Sequence, residues 1–176
     1  MNTTWRVLLA LVIAVSISAC KTTPPTTDTE DTTSTTKPTT EATTTAAPDP
    51  RDYTDARNFD NSESLLSKRV IYFDFDKSEI KSEYRPIVAA HAAYISAHRS
   101  ARVTLEGHAD ERGTREYNLG LGERRGNAVE GLLSAGGAMS NQLDVVSYGE
   151  ERPVCRVSDE NCWWQNRRVE IVYTAR

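Results

Sequence analysis

Residues 106–129 read EGHADERGTREYNLGLGERRGNAV and gather acids, arginines and an asparagine where a loop gives way to a helix. Arg125 stands four residues after Leu121 and three before Ala128, which puts it on the apolar side of that helix. A guanidinium so placed needs an acidic partner or a ligand. Asn118 lies seven positions earlier on the same face, and Asp110 sits in the loop leading into the helix. An arginine, an aspartate and an asparagine converging near a helix N-terminus can receive a zwitterion. Its carboxylate would meet the arginine and backbone N–H groups, and its ammonium the aspartate. The ligand this chemistry suggests is an amino-acid head group. A salt bridge between Asp110 and Arg125 that merely fixes the loop explains the same spacing, and spacing alone leaves the two readings level.

Catalysis is the competing class. His108 and Asp110, with Glu106 and Glu111 nearby, could be drawn as a metal-dependent hydrolase site. His91 and His98, however, fall on a helix remote in sequence, and neither an HExxH pattern nor a nucleophile elbow occurs. A lone loop histidine more often serves as a hydrogen-bonding structural group. No enzymatic activity, cofactor or metal is expected.

Cys155 and Cys162 bracket RVSDEN, read as a polar turn. In an exported chain such a pair should oxidise to a disulfide closing a small loop. A metal site would need further Cys or His at suitable spacing, which the sequence does not offer. Of Trp163 and Trp164, at least one is expected in the core, leaving the other for a protein partner.

The elements that must position these residues follow from periodicity. Val70-Ile71-Tyr72-Phe73 reads as a buried strand running into a polar loop at Asp74, Asp76 and Lys77. Tyr84, Ile87, Val88, His91, Tyr94 and Ile95 recur at helical spacing, with Pro86 near the start, where it is tolerated. Val103 and Leu105 mark a second strand, and Gly107 to Arg115 a charged loop. A second helix follows from about Glu116, with Leu121, Ala128, Val129, Leu132 and Leu133 as its stripe and Gly136-Gly137 as its end. Leu143, Val145 and Val146 form a third strand; Val169, Ile171 and Tyr173 form a fourth. The order β-α-β-α-β-β predicts an α+β domain with helices packed on a mixed sheet.

Ahead of this domain the composition changes. Residues 21–50 shift to Thr, Pro, Asp, Glu and Ala, with no aromatic or large aliphatic side chain, too little apolar surface to fold. They read as a disordered tether, reaching roughly 100 Å at about 3.1 Å per residue. An O-glycosylated stalk would share that physics. Arg6, the apolar run from Val7 to Val15 and Ile17-Ser18-Ala19 before Cys20 read as an export signal, too short to span a bilayer. The ending ISAC resembles the bacterial lipobox, which makes Cys20 the lipidated first residue; cleavage near Ala19 by an ordinary signal peptidase is the plainer alternative. Lys21 stands where similar lipoproteins of the inner membrane often carry aspartate, which points to the outer membrane. The expected division is a signal peptide over 1–19, a tether over 20–58 and a domain over 59–176. A net charge of −4 supplies no basic field for nucleic acid or anionic lipid headgroups.

Four blocks carry a resemblance: VIYFDFDKSEI at 70–80, the 106–129 stretch, VVSYGEERPVC at 145–155 and NRRVEIVY at 166–173. They are similar to the OmpA-like peptidoglycan-binding domain family and, within it, to the peptidoglycan-associated lipoproteins of the Tol-Pal system. The resemblance implies a non-catalytic domain that binds the meso-diaminopimelate of the peptidoglycan stem. Asp110 would hold the ammonium and Arg125 the carboxylate. It further implies that Phe75 and Asp76 line the cleft, that Asn118 and Leu121 form its helix-side wall, and that Arg112 and Arg168 stand at its rim. TolB and TolA are the implied partners. A lipoprotein of a secretion or motility apparatus carrying the same domain is the alternative. Where the family commonly reads LSxxRA, this chain has Gly122 and Gly126, each expected to weaken the helix by roughly 1 kcal/mol.

Overall fold

The computed structural model describes residues 46–176; the expected signal peptide, Cys20 and most of the tether lie outside the described residues. Strand β1 (Val70–Tyr72) leads through a loop and a 3-10 turn to helix α1 (Arg85–Ala97). Strand β2 (Arg102–His108), helix α2 (Arg115–Ala135) and strand β3 (Leu143–Gly149) follow. A short helix α3 (Glu160–Asn166) then precedes strand β4 (Arg168–Ala175).

The four strands form one mixed sheet in the order β1-β4-β2-β3. β4 runs antiparallel to both β1 and β2, whereas β2 and β3 are parallel and joined through α2, the long crossover that parallel neighbours require. Alternation along β2 and β4 sends Val103, Leu105, Val169 and Ile171 into the core. There they meet Ile87, Val88, Ala92 and Ile95 of α1 and Val129 and Leu133 of α2. Each of the valine, leucine and isoleucine side chains among them contributes roughly 1.5–3 kcal/mol by leaving water. This is the α+β architecture expected, with one element added.

That element is α3, where the sequence predicts a turn followed by packing tryptophans. Asp159 caps it by accepting the N–H of Cys162, Glu160 occupies its first turn, and Cys162 and Asn166 form a buried i, i+4 stripe. The expected disulfide joins Cys155 to Cys162 and fastens the first turn of this helix. Neither tryptophan is core. Trp163 is half-buried and donates through Nε1 to Glu111 at 2.9 Å. Trp164 is 44 % exposed, with its ring against Tyr72 at 5.1 Å. The positions of α3 that face inward are Cys162 and Asn166, so the two tryptophans fall outside its buried stripe.

Folded contacts reach further toward the N-terminus than the boundary placed at residue 58. Asn58 is fully buried and donates to the carbonyls of Asp49 (2.6 Å) and Asp52 (2.8 Å). Phe59, Leu66, Ala90, Tyr94 and Ala101 form a second apolar cluster beside it. His91 is buried at this seam, with its ring nitrogens on Tyr173 Oη (2.9 Å) and the Lys68 carbonyl (3.0 Å). Burial pushes its pKa down to about 4.

Gly122 and Gly126 do more than weaken α2. A β-carbon on Gly122 would stand 2.4 Å from Ser147 Oγ and 2.9 Å from the Gly107 carbonyl oxygen, and one on Gly126 would stand 2.5 Å from Val145 Cγ1. Their bareness lets α2 lie directly on β2 and β3, which sets the depth at which its polar face meets the loops above the sheet.

Candidate functional site

A cleft of about 180 Å³ opens where the loop after β1, the loop after β2 and the first turns of α2 meet. Its lining is Phe75, Asp76, Asp110, Arg112, Gly113, Tyr117, Asn118, Leu121 and Arg125. Seven of the eight ligand positions expected from the sequence therefore converge. Gly113 adopts φ 113° just before the Thr114 cap of α2, a conformation open to glycine, and so turns the loop onto the helix.

Arg125 is fully buried and forms the floor. Its Nε donates to the Lys77 carbonyl (2.8 Å), Nη1 to that of His108 (2.7 Å) and Nη2 to that of Asp74 (3.1 Å). Burial pulls its pKa down to about 10, so it stays charged at neutral pH. A guanidinium has five N–H donors; three serve the fold, which leaves two for a guest. The salt bridge to Asp110 that spacing also allowed does not form. Instead of an acidic partner, Arg125 has main-chain carbonyls from both flanking segments.

Asp110, 4 % exposed, belongs to other arginines. Its Oδ1 accepts the backbone N–H (3.1 Å) and Nε (3.2 Å) of Arg112; its Oδ2 accepts Arg112 Nη2 (2.7 Å) and Arg167 Nη1 (3.2 Å). Burial works against the charged form, and the bonds from Arg112 and Arg167 outweigh it, holding the carboxyl below its ordinary range. Asn118 ties the wall to this loop, donating to the Asp110 carbonyl at 3.1 Å and to Glu150. Asp76, at φ 56°, is exposed at the mouth and accepts the Tyr117 hydroxyl. Phe75 is 53 % exposed there.

Arg168 is the expected position that does not line the cleft. It is 4 % exposed and turned away from the cleft, with Nε on Glu170 at 2.7 Å and Nη2 on the Arg152 carbonyl at 3.4 Å. Its neighbour Arg167 reaches Asp110 instead, and also donates to the Phe73 carbonyl at 3.2 Å. Strand alternation carried that signal: Val169 and Ile171 face the core, so Arg167 shares their side and Arg168 the other. His108 is likewise not a loop group. It ends β2, buried beside Tyr148, and among the described residues neither ring nitrogen has a hydrogen-bond partner. Burial, reinforced by Arg168, lowers its pKa to about 4. Also among the described residues, no three His, Cys, Asp or Glu side chains are grouped so as to hold a metal ion.

This architecture matches known proteins. The OmpA family model matches residues 72–166. A peptidoglycan-associated lipoprotein of Haemophilus influenzae is 48% identical over 103 residues, 58% of this chain and 67% of that protein. One from Pseudomonas putida is 52% identical over 108 residues, covering 61% and 64%. The crystal structure of the peptidoglycan-associated lipoprotein from Burkholderia pseudomallei superposes with TM-score 0.65 at 40% identity, covering 72% of this chain and 100% of that one. The C-terminal domain of Helicobacter pylori MotB, at 20% identity and TM-score 0.55, shares the fold. The chain belongs to the OmpA family and, within it, to the peptidoglycan-associated lipoproteins.

Proposed function

We propose that the cleft binds the diaminopimelate end of a peptidoglycan stem peptide, and that the protein is a non-catalytic tether between the outer membrane and the cell wall. The observation that carries this reading is the convergence of opposite charges in one small cleft: Asp110 and Asp76 with Arg112 and Arg125, framed by Asn118 and Tyr117. A group bearing an ammonium and a carboxylate on one carbon is the guest such a cleft suits, since each charge leaves water only where an opposite charge replaces it. The Arg125 floor offers its two remaining donors to the carboxylate, and the Asp110 wall takes the ammonium.

Lipid on Cys20 would hold the chain at the outer membrane, and the Thr/Pro-rich tether would let the domain reach the wall. Two or more acyl chains make such anchoring stable, and many copies acting over one surface add avidity. TolB, competing for the binding face, and TolA, moving the complex at division, are the partners we propose.

Co-sedimentation with purified sacculi tests the reading. The protein should pellet with the wall in the presence of chelator and release no soluble muropeptide, while a folded Asp110→Asn variant should stay in solution. Pelleting of that variant at the wild-type level would contradict the assignment.

A further inference from the structure

We propose that Arg112 occupies, in the free protein, the place at Asp110 that the guest's ammonium takes, and so acts as a built-in competitor that sets the affinity of the cleft; this rests on the reading of the cleft given above. A carboxylate offers about four lone-pair sites. At Asp110 all four are filled, three of them by Arg112 and one by Arg167. An ammonium can join Asp110 only by displacing one of these donors.

The displaceable donor is identifiable. The Arg167 side chain is 6% exposed and is held by Glu160 and the Phe73 carbonyl as well as by Asp110. The Arg112 side chain is 30% exposed at the cleft mouth. Its guanidinium lies between two aromatic rings, with Phe75 at 4.0 Å and Trp163 at 4.1 Å. Glu160 Oε2 stands 3.5 Å from Arg112 Nη2, on a side chain 62% exposed. The guanidinium can therefore turn from Asp110 toward Glu160 while keeping both ring faces, whose attraction for a cation depends little on rotation in the plane of the stack. Displacement costs the two side-chain bonds to Asp110 and little else. Two of these partners, Trp163 and Glu160, come from α3, the helix fastened by the Cys155–Cys162 disulfide.

Calorimetric titration of the full chain in detergent with the tripeptide L-Ala-γ-D-Glu-meso-diaminopimelate tests the inference. Deleting the competitor by Arg112→Ala should tighten binding roughly tenfold, the scale of a charge-assisted hydrogen bond. Arg112→Lys, which keeps a cation beside Asp110, should give back most of that gain. An Arg112→Ala variant that binds as the wild type does, or more weakly, overturns the competitor role. Asp110→Asn separates this from failure of the site itself: loss of binding there leaves the cleft reading standing, and wild-type binding there overturns both. A readout on the unmodified protein covers the case of a variant that does not fold. The Arg112 Nε–H resonance should move on saturation with the tripeptide as its bond to Asp110 breaks, and a stationary resonance in a protein that binds overturns the inference.

Discussion

Replacing Arg125 by alanine should cost both fold and function, and the structure sets the scale. Three carbonyls lose the arginine, though that of Asp74 keeps the Lys77 N–H at 3.2 Å. Those of Asp74 and Lys77 belong to exposed loop residues and can turn to water, whereas that of His108 is enclosed and left unsatisfied at about 1–3 kcal/mol. Truncating a fully buried side chain adds roughly 2–5 kcal/mol of lost packing. Against this, burial of the charge is relieved; a pKa pulled from 12.5 to about 10 puts that at about 3 kcal/mol. The terms leave a net loss of about 0–5 kcal/mol, and its midpoint of about 2–3 kcal/mol lowers the melting temperature by roughly 10 °C for a domain of this size. Arg125→Met keeps most of the packing and removes the charge, so it should melt much closer to the wild type, as replacements of buried ions by apolar groups often do. Both variants should lose sacculus binding. Thermal melts followed by circular dichroism, paired with co-sedimentation, read the two effects separately. An Arg125→Ala protein melting within about 2 °C of the wild type would refute the role given to the carbonyl bonds, and retained binding by Arg125→Met would remove the arginine from recognition.

Two glycines should respond to alanine in opposite directions. At Gly107 the new β-carbon would lie 2.0 Å from the backbone oxygen of Gly122, so α2 must lift off the sheet; Gly107→Ala should cost about 3 kcal/mol in urea unfolding, and a loss under 1 kcal/mol would contradict that packing. Gly131 faces open space on the same helix, so Gly131→Ala should stabilise by up to about 1 kcal/mol through helix propensity alone. Acid should weaken the fold before the carboxylates titrate. His91 and His108 take up protons near 6.5 when unfolded but only at about 4 when folded, because burial disfavours their charged forms. Their contribution is complete above pH 6.5 and is lost as pH falls toward 4, with a slope of up to about 2.7 kcal/mol per pH unit for two protons. His91→Gln should halve that slope, and an unchanged slope would show that His91 is not one of the two groups.

The parts of this molecule legible in the sequence were those governed by local period. Arg125 on the buried side of α2, with Asn118 seven residues earlier, followed from helical spacing, and the sheet followed from alternating strands. What Arg125 touches did not, because its partners are carbonyls of Asp74, Lys77 and His108, groups every residue carries and no side-chain pattern reveals. Arg168 was placed at the rim by resemblance to a block, while the alternation within that same block assigns the cleft side to Arg167. Helix α3 was missed for another reason. With one turn of buried contact and a disulfide to fasten it, its stability comes from the cap at Asp159 and the Cys155 link rather than from an apolar stripe. The glycines of α2 were read by propensity, yet their role lies in the close approach of helix and sheet, which depends on Gly107 and Ser147 in other elements.

The central claim is that the cleft between the two loops and α2 receives the zwitterionic end of a murein stem. Titrating isotope-labelled protein with L-Ala-γ-D-Glu-meso-diaminopimelate while recording amide spectra tests it most directly. The account predicts saturable shifts concentrated at Phe75, Asp76, Asp110, Arg112, Tyr117, Asn118 and Leu121. Saturable shifts centred elsewhere, such as around Glu170 and Arg152 on the other side of β4, or none at a ligand concentration at which sacculi are bound, would contradict it.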